Sequence, residues 1–182
     1  QIITREELIN GVDLEAPYVI KPLNEGSSVG VSIIHEVDNN ISFEDVWPYD
    51  NRVMLEQYIP GRELTVAVMG DSALAVTEIV THRQFYDYDA KYADGGSKHQ
   101  VPAQLPSQIY DEALRISVLA HETLGCRGVS RSDIRYDGKD LYLLEVNTQP
   151  GMTPTSLVPE QALYAEISYK NLVTWLVENA EC

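Results

Sequence analysis

Two stretches constrain the fold of this chain more than any others: "RELTVAVMGDSALAVTEIV" at 62–80 and "GVSRSDIRYDGKDLYLLEVN" at 128–147. Each holds two runs rich in β-branched and apolar residues around a tight glycine-containing turn, Gly70-Asp71-Ser72 in the first and Asp137-Gly138 in the second. Turns this short join strands only in antiparallel fashion. Both stretches therefore read as hairpins.

The segments around them add helices and further short strands. Thr4 to Glu7 has the pattern of a capping box opening the helix "TREELIN", and Gly11 stops it. "APYVIKPL" is a strand ended by Pro22, with Lys21 at its carboxyl end. The glycine-serine loop of "NEGSSVGVSII" feeds another strand. Ser42 to Trp47 reads as a helical turn, and "NRVMLEQYI" as a strand broken at Pro60-Gly61. "PSQIYDEALRISVLAHETLG" is the clearest helix, with Ile109, Ala113, Ile116, Ala120 and Leu124 on one face and Gly125 closing it. Pro159 to Asn179 reads as one amphipathic helix with Leu163, Ile167, Leu172 and Leu176 inward. Residues 81 to 101 lack a period but combine aromatics, charges and a Gly-Gly pair, the mark of a functional loop. Hairpins with a few covering helices make the fold class α+β.

Composition narrows the function. With 182 residues and 44% hydrophobic content, the chain can bury one large core or two small ones. A formal charge of −15 argues against a nucleic-acid partner, which would need a basic footprint. No apolar run is long enough to span a membrane, and no signal peptide opens the chain. Cys126 and Cys182 form no metal-ligand spacing. Only thirteen lysines and arginines are present, so any polyanionic ligand must be met by cations gathered locally.

The second hairpin ends in "LLEVN", which begins as a buried hydrophobic strand entering the core before chemistry intrudes on it. Glu145 and Asn147 are two apart and share a strand face, as do Arg131 and Asp133 on the outgoing strand. If both pairs lie on one face, they form a polar cluster on neighbouring strands. That requires an odd-numbered hairpin loop or a bulge. A surface ion-pair ladder would explain the cluster. So would a hard-cation site, since two carboxylates and an amide oxygen suit magnesium, with the arginine facing a transferring group.

Two other stretches have the character of a nucleotide site. Glu25 to Gly30, "EGSSVG", is either a plain turn or a run of backbone N–H groups around a phosphate, with Lys21 as a point charge beside it. In "LEQYIPGRE" the strand breaks into a turn. The backbone of Gln57 and Ile59 could there read an adenine edge, and Glu63 could accept ribose hydroxyls. An ordinary strand and turn fits the same residues.

Taken together, "YVIKPLNEGSSVGVS", "LEQYIPGRELTVAVMG", "YDYDAKY", "LGCRGVSRSDI" and "LLEVNTQPGMTPTSLVP" closely resemble the D-alanine–D-alanine ligase family of the ATP-grasp superfamily. The motifs follow the family's order and spread over most of the chain. The resemblance implies an ATP-grasp fold of two lobes of antiparallel sheet with covering helices. Residues 1–58 would be part of the central subdomain and 59–182 the C-terminal subdomain. It implies magnesium, with manganese as a possible substitute, on Asp133, Glu145 and Asn147. ATP would meet Lys21, Glu25, Ser27 and Ser28, the adenine and ribose segment Glu56, Gln57, Ile59 and Glu63, and Lys91. Lys91 and Tyr92 would lie on a loop that closes over the active site. Arg131 and the Gly151 N–H would bind the oxyanion, and Ser156 and Leu157 the carboxylate of a second substrate.

The activity so implied joins two D-alanines through an acyl phosphate, for peptidoglycan precursor synthesis in the cytoplasm, by an enzyme that is a homodimer when complete. Other ATP-grasp carboxylate–amine ligases, D-alanyl-ester ligases, and a nucleotide-binding fragment without catalysis are the competing readings. "AKY" favours the dipeptide, since ester-forming relatives tend to place a histidine near the tyrosine position. The family's N-terminal domain of roughly a hundred residues, which holds the first D-alanine, has no counterpart here. The 182 residues alone are therefore expected to bind ATP weakly and to form no dipeptide.

Overall fold

The computed structural model describes residues 1–26, 28–35, 51–80 and 98–180. They fall into two compact units, residues 1–58 and the residues from Ile59 onward. The expected helical turn at Ser42–Trp47 lies outside the described residues, as does the loop segment 81–97. Among the described residues, no helix is long and apolar enough to cross a membrane.

The first unit is a four-stranded antiparallel sheet in the order β1-β4-β2-β3. Its strands are β1 (Ile2–Thr4), β2 (Tyr18–Pro22), β3 (Ser32–Ile34) and β4 (Arg52–Gln57). Helix α1 (Arg5–Asn10) starts at the expected capping box: Thr4 Oγ1 accepts from the Glu7 N–H, and Glu7 accepts from the Thr4 N–H at 2.7 Å. That bond from the Thr4 backbone, with a second from its hydroxyl, holds the Glu7 carboxyl below its ordinary pKa. Alternation along β2 and β4 sends Tyr18, Ile20, Val53 and Leu55 into a small core with Leu8 and Ile34. Lys21 and Glu56 are left on the other face.

The second unit is a five-stranded antiparallel sheet in the order β7-β6-β5-β8-β9. Its strands are β5 (Arg62–Met69), β6 (Ser72–Val80), β7 (Lys98–Gln100), β8 (Val129–Tyr136) and β9 (Leu141–Asn147). One face carries Leu64, Val66, Ile134 and Tyr136, packed with Ala113 and Ile109 of α2 (Ser107–Thr123). The opposite face carries Ala67 and Val129. These pack with Val158 and Ala162 of α3 (Leu157–Tyr164) and Leu172 of α4 (Tyr169–Glu178).

Four expectations are corrected here. The tail is two helices rather than one: the chain breaks at Glu166, whose φ is +63°, and restarts where the Ser168 hydroxyl accepts from the Asn171 N–H. Leu163 faces solvent, 68% exposed, because its helix buries Val158, Gln161 and Ala162 instead. On α2 the buried positions are Ala113, Ser117 and His121, while Leu124 lies past the helix end and is 64% exposed. The irregular stretch expected up to residue 101 gives way at Lys98 to β7, which pairs with β6. Finally β9, read as a hydrophobic strand entering the core, is an edge strand with Tyr142, Leu143 and Leu144 exposed.

Candidate functional site

The β8–β9 hairpin decides how the polar pairs meet. Its turn, Asp137 to Asp140, lies between the paired residues Tyr136 and Leu141. From there the ladder would place Glu145 opposite Ser132, on the α2 face. Instead the register shifts beyond Ile134↔Leu143, leaving Leu144 as the extra residue of a β-bulge. Asp133 then stands opposite Glu145, and Arg131 opposite Asn147. All four share the face on which α3 packs.

Hydrogen bonds tie this cluster down. The Arg131 fork donates to both Asp133 oxygens, Nε to Oδ1 at 2.8 Å and Nη2 to Oδ2 at 2.7 Å. The guanidinium thus lies along the Asp133 carboxylate. Thr65, fully buried and directly opposite on β5, donates its hydroxyl to Asp133 Oδ1 at 2.9 Å. Asn147 Oδ1 accepts from the Gln149 N–H at 2.9 Å, which turns the chain out of β9. Glu145 is exposed. Asp133, Glu145 and Asn147 thus offer only oxygen donors from one sheet face. Two carboxylates and an amide fit a small hard cation that retains water or phosphate ligands.

The segment after β9 leads into α3. Ser156 is its N-cap; its hydroxyl accepts from the Thr153 N–H at 3.2 Å and lies 2.7 Å from Thr153 Oγ1. Gly151 is held close by: a Cβ there would come 2.9 Å from Ser156 Oγ. The Leu157 side chain is buried, so its available contact to a ligand is the backbone N–H at the positive end of the helix. Gln161 docks α3 on the sheet. At the register shift between β5 and β6, its Oε1 accepts from the Ala67 N–H at 2.7 Å and its Nε2 donates to the Thr65 carbonyl at 3.2 Å.

In the first unit, Lys21 Nζ lies 2.5 Å from Glu56 Oε2 on the face away from the core. The adjoining loop turns twice, Val29 N–H to Gly26 carbonyl and Val31 N–H to Ser28 carbonyl, with Ser28 at φ +60° and Gly30 at φ +71°. Such alternation of hand is typical of anion-cradling backbone. Glu25 is exposed beside it, while Ser27, Lys91 and Tyr92 lie outside the described residues. Glu63 and Ile59, in the second unit, are both held by Arg135.

Three residues in this arrangement are not among the candidates named from the sequence. Arg135 continues the Arg131, Asp133 alternation and could have been found by it. Thr65 needs the β5–β8 register, and Gln161 carries no local signal.

Comparison with known proteins gives the family and the fold. A family model described as D-ala D-ala ligase C-terminus matches residues 5–178. The D-alanine–D-alanine ligase of Rhodospirillum rubrum is 60% identical over 182 residues, covering 100% of this chain and 60% of that protein. That of Paramagnetospirillum magneticum is 56% identical over 190 residues, covering 100% and 61%. A crystal structure of the Bacillus anthracis ligase superposes with a TM-score of 0.79 at 34% identity, covering 98% of this chain and 60% of that one. A second, complexed with ATP, gives 0.76 at 29% identity, covering 98% and 58%. The chain thus spans about 60% of the length of these curated relatives. Its fold is the ATP-grasp fold, α+β with two antiparallel sheets. The chain belongs to the D-alanine–D-alanine ligase C-terminus family.

Proposed function

We propose that the protein carrying this chain joins two D-alanines to D-alanyl-D-alanine at the expense of ATP. The observation that carries the reading is the bulge-set register, which gathers Arg131, Asp133, Glu145 and Asn147 on one sheet face. Two carboxylates and an amide on one face would hold the cation that phosphoryl transfer asks for, since the reaction depends on positioning and charge neutralisation more than on covalent help.

In the first step a carboxylate oxygen of one D-alanine attacks the γ-phosphorus of ATP. The bond to the bridging oxygen breaks, and ADP leaves an acyl phosphate. In the second, the amine of another D-alanine attacks the acyl carbon. The resulting tetrahedral oxyanion collapses, expelling phosphate, and the nitrogen gives up a proton. Arg131 and the Gly151 N–H stabilise the oxyanion, where one such donor is worth about 3–4 kcal/mol. Ser156 and the Leu157 N–H orient the second D-alanine by its carboxylate. Lys21, Glu25, Ser27, Ser28 and Lys91 meet the phosphates, while Glu56, Gln57, Ile59 and Glu63 take adenine and ribose. Lys91 and Tyr92 belong to a loop that excludes water from the acyl phosphate. Asp133, Glu145 and Asn147 would hold magnesium, or manganese in its place, which when bound shields phosphate charge.

The reading carries further expectations: the halves 1–58 and 59–182 are the central and C-terminal ATP-grasp subdomains. The product is a peptidoglycan precursor made in the cytoplasm by a homodimer that includes an N-terminal domain. The test uses the protein at the full length of its relatives. D-alanine-dependent release of phosphate, matched by formation of D-alanyl-D-alanine, is the expected result. Ester formation with a 2-hydroxy acid in preference to the dipeptide would replace the reading with that of an ester ligase. ATP binding without phosphate release would replace it with a non-catalytic one.

A further inference from the structure

Arg135 lies two residues beyond Asp133 on the same face of β8, directly opposite Glu63 on β5. It is only 9% exposed, and a guanidinium so enclosed is tolerated where its N–H groups are met by acceptors. Acceptors along the turn from Ile59 to Glu63 meet it. Nε donates to the Ile59 carbonyl at 3.1 Å, Nη2 to the Gly61 carbonyl at 3.0 Å, and Nη1 to Glu63 Oε2 at 3.4 Å. One planar group thereby spans the whole turn from Ile59 to Glu63. The turn is also pressed onto β8 from below. Gly61 has φ +107°, and a Cβ there would come within 2.2 Å of the Tyr136 carbonyl oxygen.

We infer that Arg135 is a positioning residue for nucleotide recognition, fixing the Glu63 carboxylate relative to the Ile59 backbone so that ribose hydroxyls are read together with the base. The inference rests on the proposed ATP site. With the Ile59 carbonyl committed to Arg135, the adenine contact at this residue falls on its N–H. Glu63 is then oriented by the same rigid fork that holds the Ile59 carbonyl. A lysine cannot reproduce this, because its three donors radiate from one nitrogen on a flexible stem and do not match two carbonyls and a carboxylate arrayed along a planar fork.

The test compares the affinities of ATP, 2′-deoxy-ATP and 3′-deoxy-ATP by calorimetry. The proteins are the full-length wild type, Arg135→Lys, Arg135→Met and Glu63→Gln. Wild type should favour ATP over at least one deoxy analogue by about tenfold or more, as expected for a hydroxyl bound to a carboxylate. In Arg135→Met and Glu63→Gln that ratio should fall to about one, and in Arg135→Lys to within about threefold of one. If Arg135→Met does not fold, Arg135→Lys alone decides, with thermal unfolding recorded beside the affinities. A wild-type ratio of one, or a ratio kept in the Arg135 variants, would overturn the inference. The affinities are read without turnover. Failure to form dipeptide would therefore count against the ligase reading and leave this comparison standing.

Discussion

Thr65 Oγ1 lies 2.9 Å from Asp133 Oδ1, beneath the carboxylate that Arg131 holds with both arms of its fork. The hydroxyl is fully buried, so the contact is shielded from competing water. Thr65→Val keeps the shape and removes the donor. It should lower stability by about 1–2 kcal/mol in urea unfolding. In the complete protein it should also weaken magnesium binding about tenfold, read by calorimetry with an ATP analogue. Unchanged metal affinity would reduce Thr65 to a structural role.

Glu145 is exposed on an edge strand, so its removal should scarcely touch the fold. We expect Glu145→Gln to shift unfolding by no more than about 0.5 kcal/mol. Magnesium-dependent turnover of the full-length protein should fall a hundredfold or more, by about 3 kcal/mol of barrier. Turnover that survived with the same magnesium requirement would exclude Glu145 from the metal site.

Gln161 satisfies two backbone groups at once, the Ala67 N–H and the Thr65 carbonyl, at a fully buried position. Gln161→Leu leaves both without a partner and should cost about 2–4 kcal/mol. Amide exchange at Ala67 should accelerate more than at Val66. A variant as stable as wild type would mean that the β5–β6 bulge satisfies these groups by other means.

Two hairpins, the Thr4 capping box and the helix over 107–123 were legible because their signals are local: a tight turn, a cap, a stripe. β1 and β7 were not, since three residues carry no readable period and exist as strands only through their partners β4 and β6. The break at Glu166 was missed because nothing in "LYAEISY" forbids a helix; the Ser168 cap was the available hint. At the site, alternation sufficed to pair Arg131 with Asp133 and Glu145 with Asn147. That the two pairs meet depends on Leu144, a residue with no mark of a bulge.

Burial lowers the pKa of His121, whose Nδ1 lies 2.7 Å from Ser130 Oγ, below the ordinary histidine value of 6.5. The unfolded chain therefore binds a proton at a pH where the folded one does not. This contribution to stability is whole above 6.5 and declines as pH falls from there toward the folded pKa. Between about pH 7.5 and pH 5.5 the urea midpoint should drop further in wild type than in His121→Gln. Parallel drops would assign the pH dependence to other groups.

The extra residue at Leu144 turns the hairpin into a parity counter. Adjacent residues on a strand face opposite ways, so one residue gained or lost between Asp133 and Glu145 swaps the faces of Glu145 and Asn147. A second such change restores them. An enlarged turn at Asp137–Asp140 and a lost bulge would therefore be silent together and ruinous apart. Relatives can differ in turn length and still keep this cluster, provided the lengths between the two carboxylates change by even steps or a bulge makes up the difference.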